Sequence, residues 1–352
     1  MKIAVLLSGG VDSSVALRLL KEEGHDLTAF YLKIWLEDEL SFLGECPWEE
    51  DLRYAREVCE QADVPLEILS LQREYWNTIV SYTIKELKAG RTPNSDMLCN
   101  KLVKFGIFYN KIDPSYEKIA SGHYARIVYQ DKKFLLKMSP DPIKDQTYFL
   151  AYITQEQLNR ALFPLGNYTK KQIRKMALKY NLPNKNRKDS QGICFLGQIK
   201  YNEFVQYHLG EKTGAFIDIE SGETIGEHKG YWFYTIGQRQ GLGLSSGPWY
   251  VVNKDIKKNL IYISRNIEIR NEMNKIFTVN NFNWISGIRP DEKKLRVKIR
   301  HGKESHHCKL DFTGEDSAKV YLNKPDQGIA QGQFAVFYQG EVCLGAGIIS
   351  GE

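Results

Sequence analysis

The chain opens Met1-Lys2-Ile3-Ala4-Val5-Leu6-Leu7-Ser8-Gly9-Gly10-Val11-Asp12-Ser13-Ser14, and this stretch decides the fold. Ile3 to Leu7 is a short apolar run of the kind a buried strand needs. Val15, Ala16, Leu19 and Leu20 follow at helical spacing, and Gly24 marks a helix end. Between strand and helix, Gly9 and Gly10 let the backbone turn tightly and approach an anion closely. Free N–H groups and the dipole at the helix start favour a phosphate there. Ser8, Ser13 and Ser14 add hydroxyl donors, and Asp12 is placed to hold Mg2+ against phosphates. No Gly-Lys-Ser/Thr follows, so this is not the Walker-type loop. The bland alternative is a serine-capped helix after a glycine turn, and the position directly behind an N-terminal strand weighs against it.

Downstream, strands expected at Leu27–Ile34, Leu66–Leu71 and Lys118–Ala120 alternate with helical stretches at Glu49–Ala62, Tyr75–Lys88 and Asn100–Lys111. That alternation predicts a parallel, Rossmann-like sheet with helices on both faces. A hairpin-like pair, Ala125–Tyr129 and Lys133–Met138, interrupts it before helices at Gln155–Ala161 and Lys170–Tyr180. From about residue 200 glycines crowd in and helical periodicity fades. Six short alternating segments from residue 275 onward predict a small β-barrel or sandwich. The expected class is α/β, with an adenylating domain at 1–200, a glycine-rich module at 201–272 and an all-β domain at 273–352.

Composition fits a soluble globular protein, 42% hydrophobic and 26% charged, and no apolar run is long enough to span a membrane. A cytoplasmic location is expected, with no membrane partner. A net charge of +5 permits an RNA partner without demanding one. Six cysteines at irregular spacings form no metal-ligand pattern. Cys59, Cys308 and Cys343 sit in helix or strand patterns and are expected to be buried. Cys99 and Cys194 differ. Cys99 is read at a helix start with Lys101 and Lys104 nearby, a setting that stabilises a thiolate. Cys194 lies at a polar-to-apolar transition behind Lys185, Arg187 and Lys188. Asp96 is read either as a helix cap or as a general acid or base. Between Asn167 and Lys188 stand eight Lys/Arg and no acidic residue, which reads as a phosphate-tracking surface. The second basic stretch, Lys293 to Lys309, reads equally as the polar face of strands.

The glycine loop is similar to that of the adenylating ATP pyrophosphatases, which split ATP between its α- and β-phosphates. The wider resemblance is closer. TPNSDMLCN (92–100), GHYARI (122–127), DQTYFL (145–150), KDSQGICF (188–195), YTIGQRQGLGL (234–244), GQFAVFY (332–338) and LGAGII (344–349) stand in the order seen in the tRNA-specific 2-thiouridylases. One departure is Asn94-Ser95-Asp96, where that family usually reads Asn-Pro-Asp. The resemblance implies ATP with Mg2+ as cofactors and a persulfide on Cys194, with Cys99 as nucleophile. It implies nucleotide contacts at Leu7, Ser8, Gly9, Gly10, Val11, Asp12, Ser13, Ser14, Leu32 and Gly122. It implies tRNA contacts at Asn94, Ser95, Asp96, His123, Lys144, Asp145, Gln146, Arg300, His301 and Gln333. The implied partners are tRNA, through the wobble uridine of its anticodon loop, and a cysteine desulfurase or sulfur-relay protein. Two routes for the sulfur remain open: attack of Cys99 on the persulfide to release sulfide, or direct attack of the persulfide on the base.

Overall fold

A computed structural model describes residues 1–34, 48–189, 200–266, 268, 275–292 and 294–351. The first seven strands are β1 (Lys2–Leu6), β2 (Asp26–Lys33), β3 (Leu66–Ser70), β4 (Lys118–Ala120), β5 (Ala125–Gln130), β6 (Lys133–Met138) and β7 (Ala161–Leu162). Five of them form an all-parallel sheet in the order β3-β2-β1-β4-β7. Helices α1 (Val11–Glu22), α2 (Trp48–Ala62), α3 (72–88), α4 (95–111) and α5 (Lys170–Lys179) cover it. Because side chains alternate along a strand, β1 feeds two cores at once. Ile3, Val5 and Leu7 pack with residues of α1, α2 and α5, while Ala4 and Leu6 pack on the other face with residues of α3 and α4. The expected parallel sheet with helices on both faces is what the chain forms.

The glycine-rich part begins with a helix, α6 (Tyr201–Leu209), which the fading periodicity did not reveal. Strands β8 (Gly214–Asp218), β9 (Thr224–His228), β10 (Tyr250–Asp255) and β11 (Leu260–Ser264) follow and form a four-stranded sheet. Phe216, Tyr231, Trp249, Val251, Ile261 and Ile263 give it a core of its own.

Strands β12 (Ile276–Trp284), β13 (Lys294–Lys298), β14 (His306–Phe312), β15 (Ser317–Leu322), β16 (Phe334–Gln339) and β17 (Val342–Ser350) pair antiparallel. Pairing of β12 with β17 closes the six into a barrel. The β5–β6 hairpin adds to this barrel, not to the parallel sheet, through Val342 opposite Lys137 and Cys343 opposite Leu136. Thus 125–138 ties the two ends of the chain together. Among the described residues no helix is long and apolar enough to cross a membrane.

Candidate active site

Strands β1, β2 and β4 all end at one edge of the parallel sheet, and the order reverses between β1 and β4. A crevice for a nucleotide is expected at such a switch point. The loop from Ser8 to Ser14 lies there, behind the buried Leu7, whose N–H donates to Phe30 O at 2.9 Å. Gly9 has φ +72°, and a Cβ on it would stand 2.2 Å from Asp51 O, so only glycine fits. Val11 opens α1 as a buried anchor, and Ser13 and Ser14 return their hydroxyls to Gly10 O at 3.0 and 2.9 Å. Ser13 Oγ also accepts from Ser8 N at 3.2 Å. Leu32 stands near the end of β2, half-buried. Gly122, just past β4, presses on the loop so closely that a Cβ would lie 2.8 Å from Ser13 N.

Asp12 is held from two sides. Tyr124 Oη donates to its Oδ1 at 2.8 Å, and Lys170 Nζ donates to Oδ1 and Oδ2 at 2.7 and 2.8 Å. Asn184, 1% exposed, donates to Gly9 O at 2.8 Å and to Ser14 Oγ at 2.9 Å. Arg187 donates to Gly9 O at 3.2 Å and pairs with Asp51. This narrows the reading of 167–188 as a phosphate-tracking surface. Lys170, Arg174 and Arg187 fold back onto the phosphate loop and its neighbours, whereas Lys171, Lys175, Lys179 and Lys188 remain exposed. A run of cations without acids shows an anion partner but not whether that anion is RNA, nucleotide or a distant carboxylate.

Cys99 does not stand at a helix start. Asn94 is the cap of α4, its Oδ1 accepting from Met97 N at 3.2 Å; Ser95 takes the first helical position, and Asp96 follows in the first turn, half-buried. Asp96 is therefore not the cap. Proline suits that first position, and serine there leaves the cap intact. Cys99 lies one turn further, where α4 widens to π geometry over Cys99–Ile107, and is 2% exposed. Burial pushes its thiol up, with Lys104 and a hydrogen bond from Tyr75 pulling down and Asp96 adding to the rise. The expected low-pKa thiolate is thus not the resting state. Lys101 instead lies over the Tyr152 ring. Burial, then the charge of Lys104, likewise holds the His123 imidazole well below its usual range. His123 Nδ1 meets Ser121 Oγ at 2.7 Å. The charge of Lys104 bears on both Cys99 and His123, and the Phe105 ring of the same helix lies 6.4 Å from the His123 ring.

A second junction joins α4 to the barrel. Asn94 Nδ2 donates to Gln333 Oε1 at 3.3 Å, and Gln333 Nε2 donates to Pro93 O at 2.9 Å. His301 Nε2 meets Asp145 O at 3.1 Å and its ring stacks on Phe149. The Asp145 carboxylate is shielded and accepts from Thr147 Oγ1, Ser139 N and Lys298 Nζ. Gln146 Oε1 accepts from Tyr124 N at 3.0 Å. Lys298, expected on the polar face of a strand, is 2% exposed, buried between the barrel's outer face and Asp145. Arg300 stays half-exposed on Asp326 and, with His301, Lys303 and His306, lines a cavity of about 260 Å³. Cys59, Cys99, Cys308 and Cys343 are free and buried; Cys194 lies outside the described residues. Sequence reasoning missed Tyr124 and Asn184 and gave Lys170 to a phosphate-tracking surface; the roles of all three depend on contacts across more than 100 residues.

Models of known families match the chain in three consecutive parts. Residues 1–198 match the tRNA methyl transferase HUP domain, 202–265 the tRNA methyl transferase PRC-barrel domain, and 274–349 the Aminomethyltransferase beta-barrel domain. The tRNA-specific 2-thiouridylase MnmA of Parabacteroides distasonis is 45% identical over 358 residues, covering 100% of this chain and 99% of its own. MnmA 1 of Bacteroides thetaiotaomicron is 43% identical over 356 residues, 99% and 100% of the two chains. MnmA of Porphyromonas gingivalis is 43% identical over 360 residues, 99% of each.

Proposed function

The chain belongs to the tRNA-specific 2-thiouridylase family, and from that premise we propose how its residues divide the work of an ATP-dependent tRNA sulfurtransferase. The division into 1–200, 201–272 and 273–352 is part of this proposal: the first adenylates, the last grips tRNA and the middle part links them.

The C2 oxygen of uracil is a poor leaving group, so it must be activated. It attacks the α-phosphorus of ATP, pyrophosphate leaves, and the base carries AMP on that oxygen. Asp96, half-buried in the first turn of α4, takes the N3 proton as this bond forms. Ser8, Gly9, Gly10, Ser13 and Ser14 cradle the phosphates, with Gly122 closing the crevice. Asp12 would hold Mg2+. Its two oxygens already hold the Lys170 ammonium, so the site suits a cation, which would screen the phosphate charge.

The terminal sulfur of a persulfide on Cys194, loaded by a cysteine desulfurase or a relay protein, then adds to C2 and AMP departs with the oxygen. Cys99 attacks the inner sulfur of the adduct, releasing the 2-thiocarbonyl and leaving a Cys99–Cys194 disulfide. In the other route Cys99 attacks the persulfide first and the sulfide set free adds to C2. Either route needs a two-electron thiol reductant to reset the enzyme. Burial keeps Cys99 protonated and protected until the base and Cys194 arrive.

The observation that supports this reading most is the single junction at Asn94. The helix carrying Asp96 and Cys99 starts against the barrel at Gln333, and its Phe105 ring lies against His123 in the turn that closes the phosphate crevice. Of the residues proposed to meet tRNA, Asn94 bonds to Gln333 at this junction and His301 to Asp145, while His123, Lys144 and Arg300 are assigned by the resemblance. A wobble base is single-stranded in its loop, so turning it inward costs little stacking. The test is incubation with unmodified tRNA, Mg-ATP, cysteine and a desulfurase, then mass spectrometry of the digested nucleosides. 2-Thiouridine at the wobble position supports the reading. A methylated uridine, or AMP formation without sulfur transfer, contradicts it.

A further inference from the structure

Asp189 has no part in the reaction just described, yet it holds three cations. Its Oδ2 accepts from Lys144 Nζ at 2.6 Å, and its Oδ1 lies 2.8 Å from Lys170 Nζ and 2.5 Å from Arg174 Nη2. Lys170 directs its other N–H bonds to Asp12, at 2.7 and 2.8 Å. Lys144, Asp189, Lys170 and Asp12 therefore form an unbroken chain of ion pairs from the 144–146 turn to the phosphate loop. Its inner members are sheltered, with Lys170 15% and Asp189 28% exposed. Burial alone would raise the Asp189 carboxyl, but Lys144 and Lys170 outweigh it and hold it down to about 2.

A purely structural task for Asp189 is already filled by another carboxylate. Asp141 Oδ2 accepts from Lys170 N at 2.9 Å, and its Oδ1 accepts from Ile143 N and Lys144 N at 3.0 and 3.1 Å, which fastens the turn to the start of α5. Thr169 and Gln172 cap that helix reciprocally.

We propose that Asp189 is a positioning residue that couples binding of nucleotide at the phosphate loop to binding of RNA at Lys144. An RNA phosphate that draws Lys144 away leaves Asp189 to Lys170 and Arg174. Lys170 then shifts off Asp12 and frees that carboxylate for the cation that accompanies ATP. In the other direction, a cation on Asp12 sends Lys170 to Asp189 and releases Lys144 to RNA. The coupling is positive, and linkage makes it equal in both directions. The inference rests on the reading that this chain binds tRNA and Mg-ATP.

The test measures the dissociation constant of labelled unmodified tRNA with and without Mg2+ and a non-hydrolysable ATP analogue. In the parent the analogue tightens tRNA at least about fivefold, the lower end of ordinary coupling. In Asp189→Asn the ratio falls to near one, and in Asp189→Glu it is retained. An uncoupled parent, or an Asn variant as coupled as the parent, overturns the proposal. Lys170→Gln provides an independent check if Asp189→Asn folds poorly, and it too must lose the coupling. Coupled binding without any 2-thiouridine formed would sink the reaction and spare Asp189; 2-thiouridine formed without coupling would do the reverse.

Discussion

Asn94 and Gln333, 239 residues apart, bind one another at 3.3 Å, so the helix that carries Cys99 starts against the residue that leads into barrel strand β16. Gln333 also donates to Thr92 O at 3.2 Å, which fixes the approach to the cap. Asn94→Ala removes both the cap and this bond and is expected to cost about 1 kcal/mol of stability. Gln333→Ala leaves the cap in place. It should raise KM for tRNA several-fold while leaving KM for ATP within twofold. A double-mutant cycle on tRNA affinity should return a coupling of about 0.5 kcal/mol or more, the range for residues in contact.

Gly122 tests the phosphate crevice. A Cβ there would stand 2.8 Å from Ser13 N and 3.0 Å from the Asp12 carbonyl carbon, and backbone cannot step aside as a side chain can. Gly122→Ala is expected to raise KM for ATP tenfold or more while costing about 1–3 kcal/mol of stability, the usual overpacking penalty. Unchanged ATP kinetics would remove Gly122 from the nucleotide site.

Lys298 and Asp145 form a buried pair at 3.2 Å, with 2% and 0% of their side chains exposed. Removing Lys298 leaves the Asp145 carboxylate buried with, among the described residues, only the neutral donors Thr147 Oγ1 and Ser139 N. Lys298→Met should therefore destabilise the protein by about 3–5 kcal/mol, and pairing it with Asp145→Leu should recover part of that loss. Chemical denaturation of the two variants beside the parent measures it.

Acid should weaken the fold through its buried histidines. His123, His208, His228 and His301 all have imidazoles depressed below 6.5, burial being the largest cause in each. When the folded pKa is the lower one, the unfolded chain binds more protons below pH 6.5. Stability is then fully present above pH 6.5 and falls as pH drops through it, by at most about 1.4 kcal/mol per pH unit for each histidine. Denaturant midpoints measured from pH 8 to 5.5 should stay flat to about 6.5 and then decline. His123→Gln should make that decline shallower.

Local sequence revealed much of the fold. The strand, glycine turn and helix of residues 2–22 stand where the apolar spacing puts them, and the six alternating segments after residue 275 close into one barrel. Contacts between distant segments were not legible. The β5–β6 hairpin has the alternation of any two-stranded ribbon, and nothing in it says that its partner is Val342–Cys343. Lys298 reads as a surface residue because its partner, Asp145, is 153 residues away. Cys99 illustrates the same limit within the site. Its motif announces a chemical role, but the burial that raises its thiol comes from the packing of α3 and α4, which no local pattern encodes.

The claim that two cysteines pass sulfur to a base activated at the phosphate loop is tested most directly by following the sulfur itself. The parent, Cys99→Ala and Cys194→Ala would each be loaded from radiolabelled cysteine by a desulfurase, then mixed with tRNA and Mg-ATP, and label counted on protein and on RNA. The parent should move label to RNA only with ATP present. Cys99→Ala should hold label on the protein without yielding thiolated RNA, and Cys194→Ala should take up none. Label reaching RNA in Cys194→Ala, or in the parent without ATP, would contradict the account.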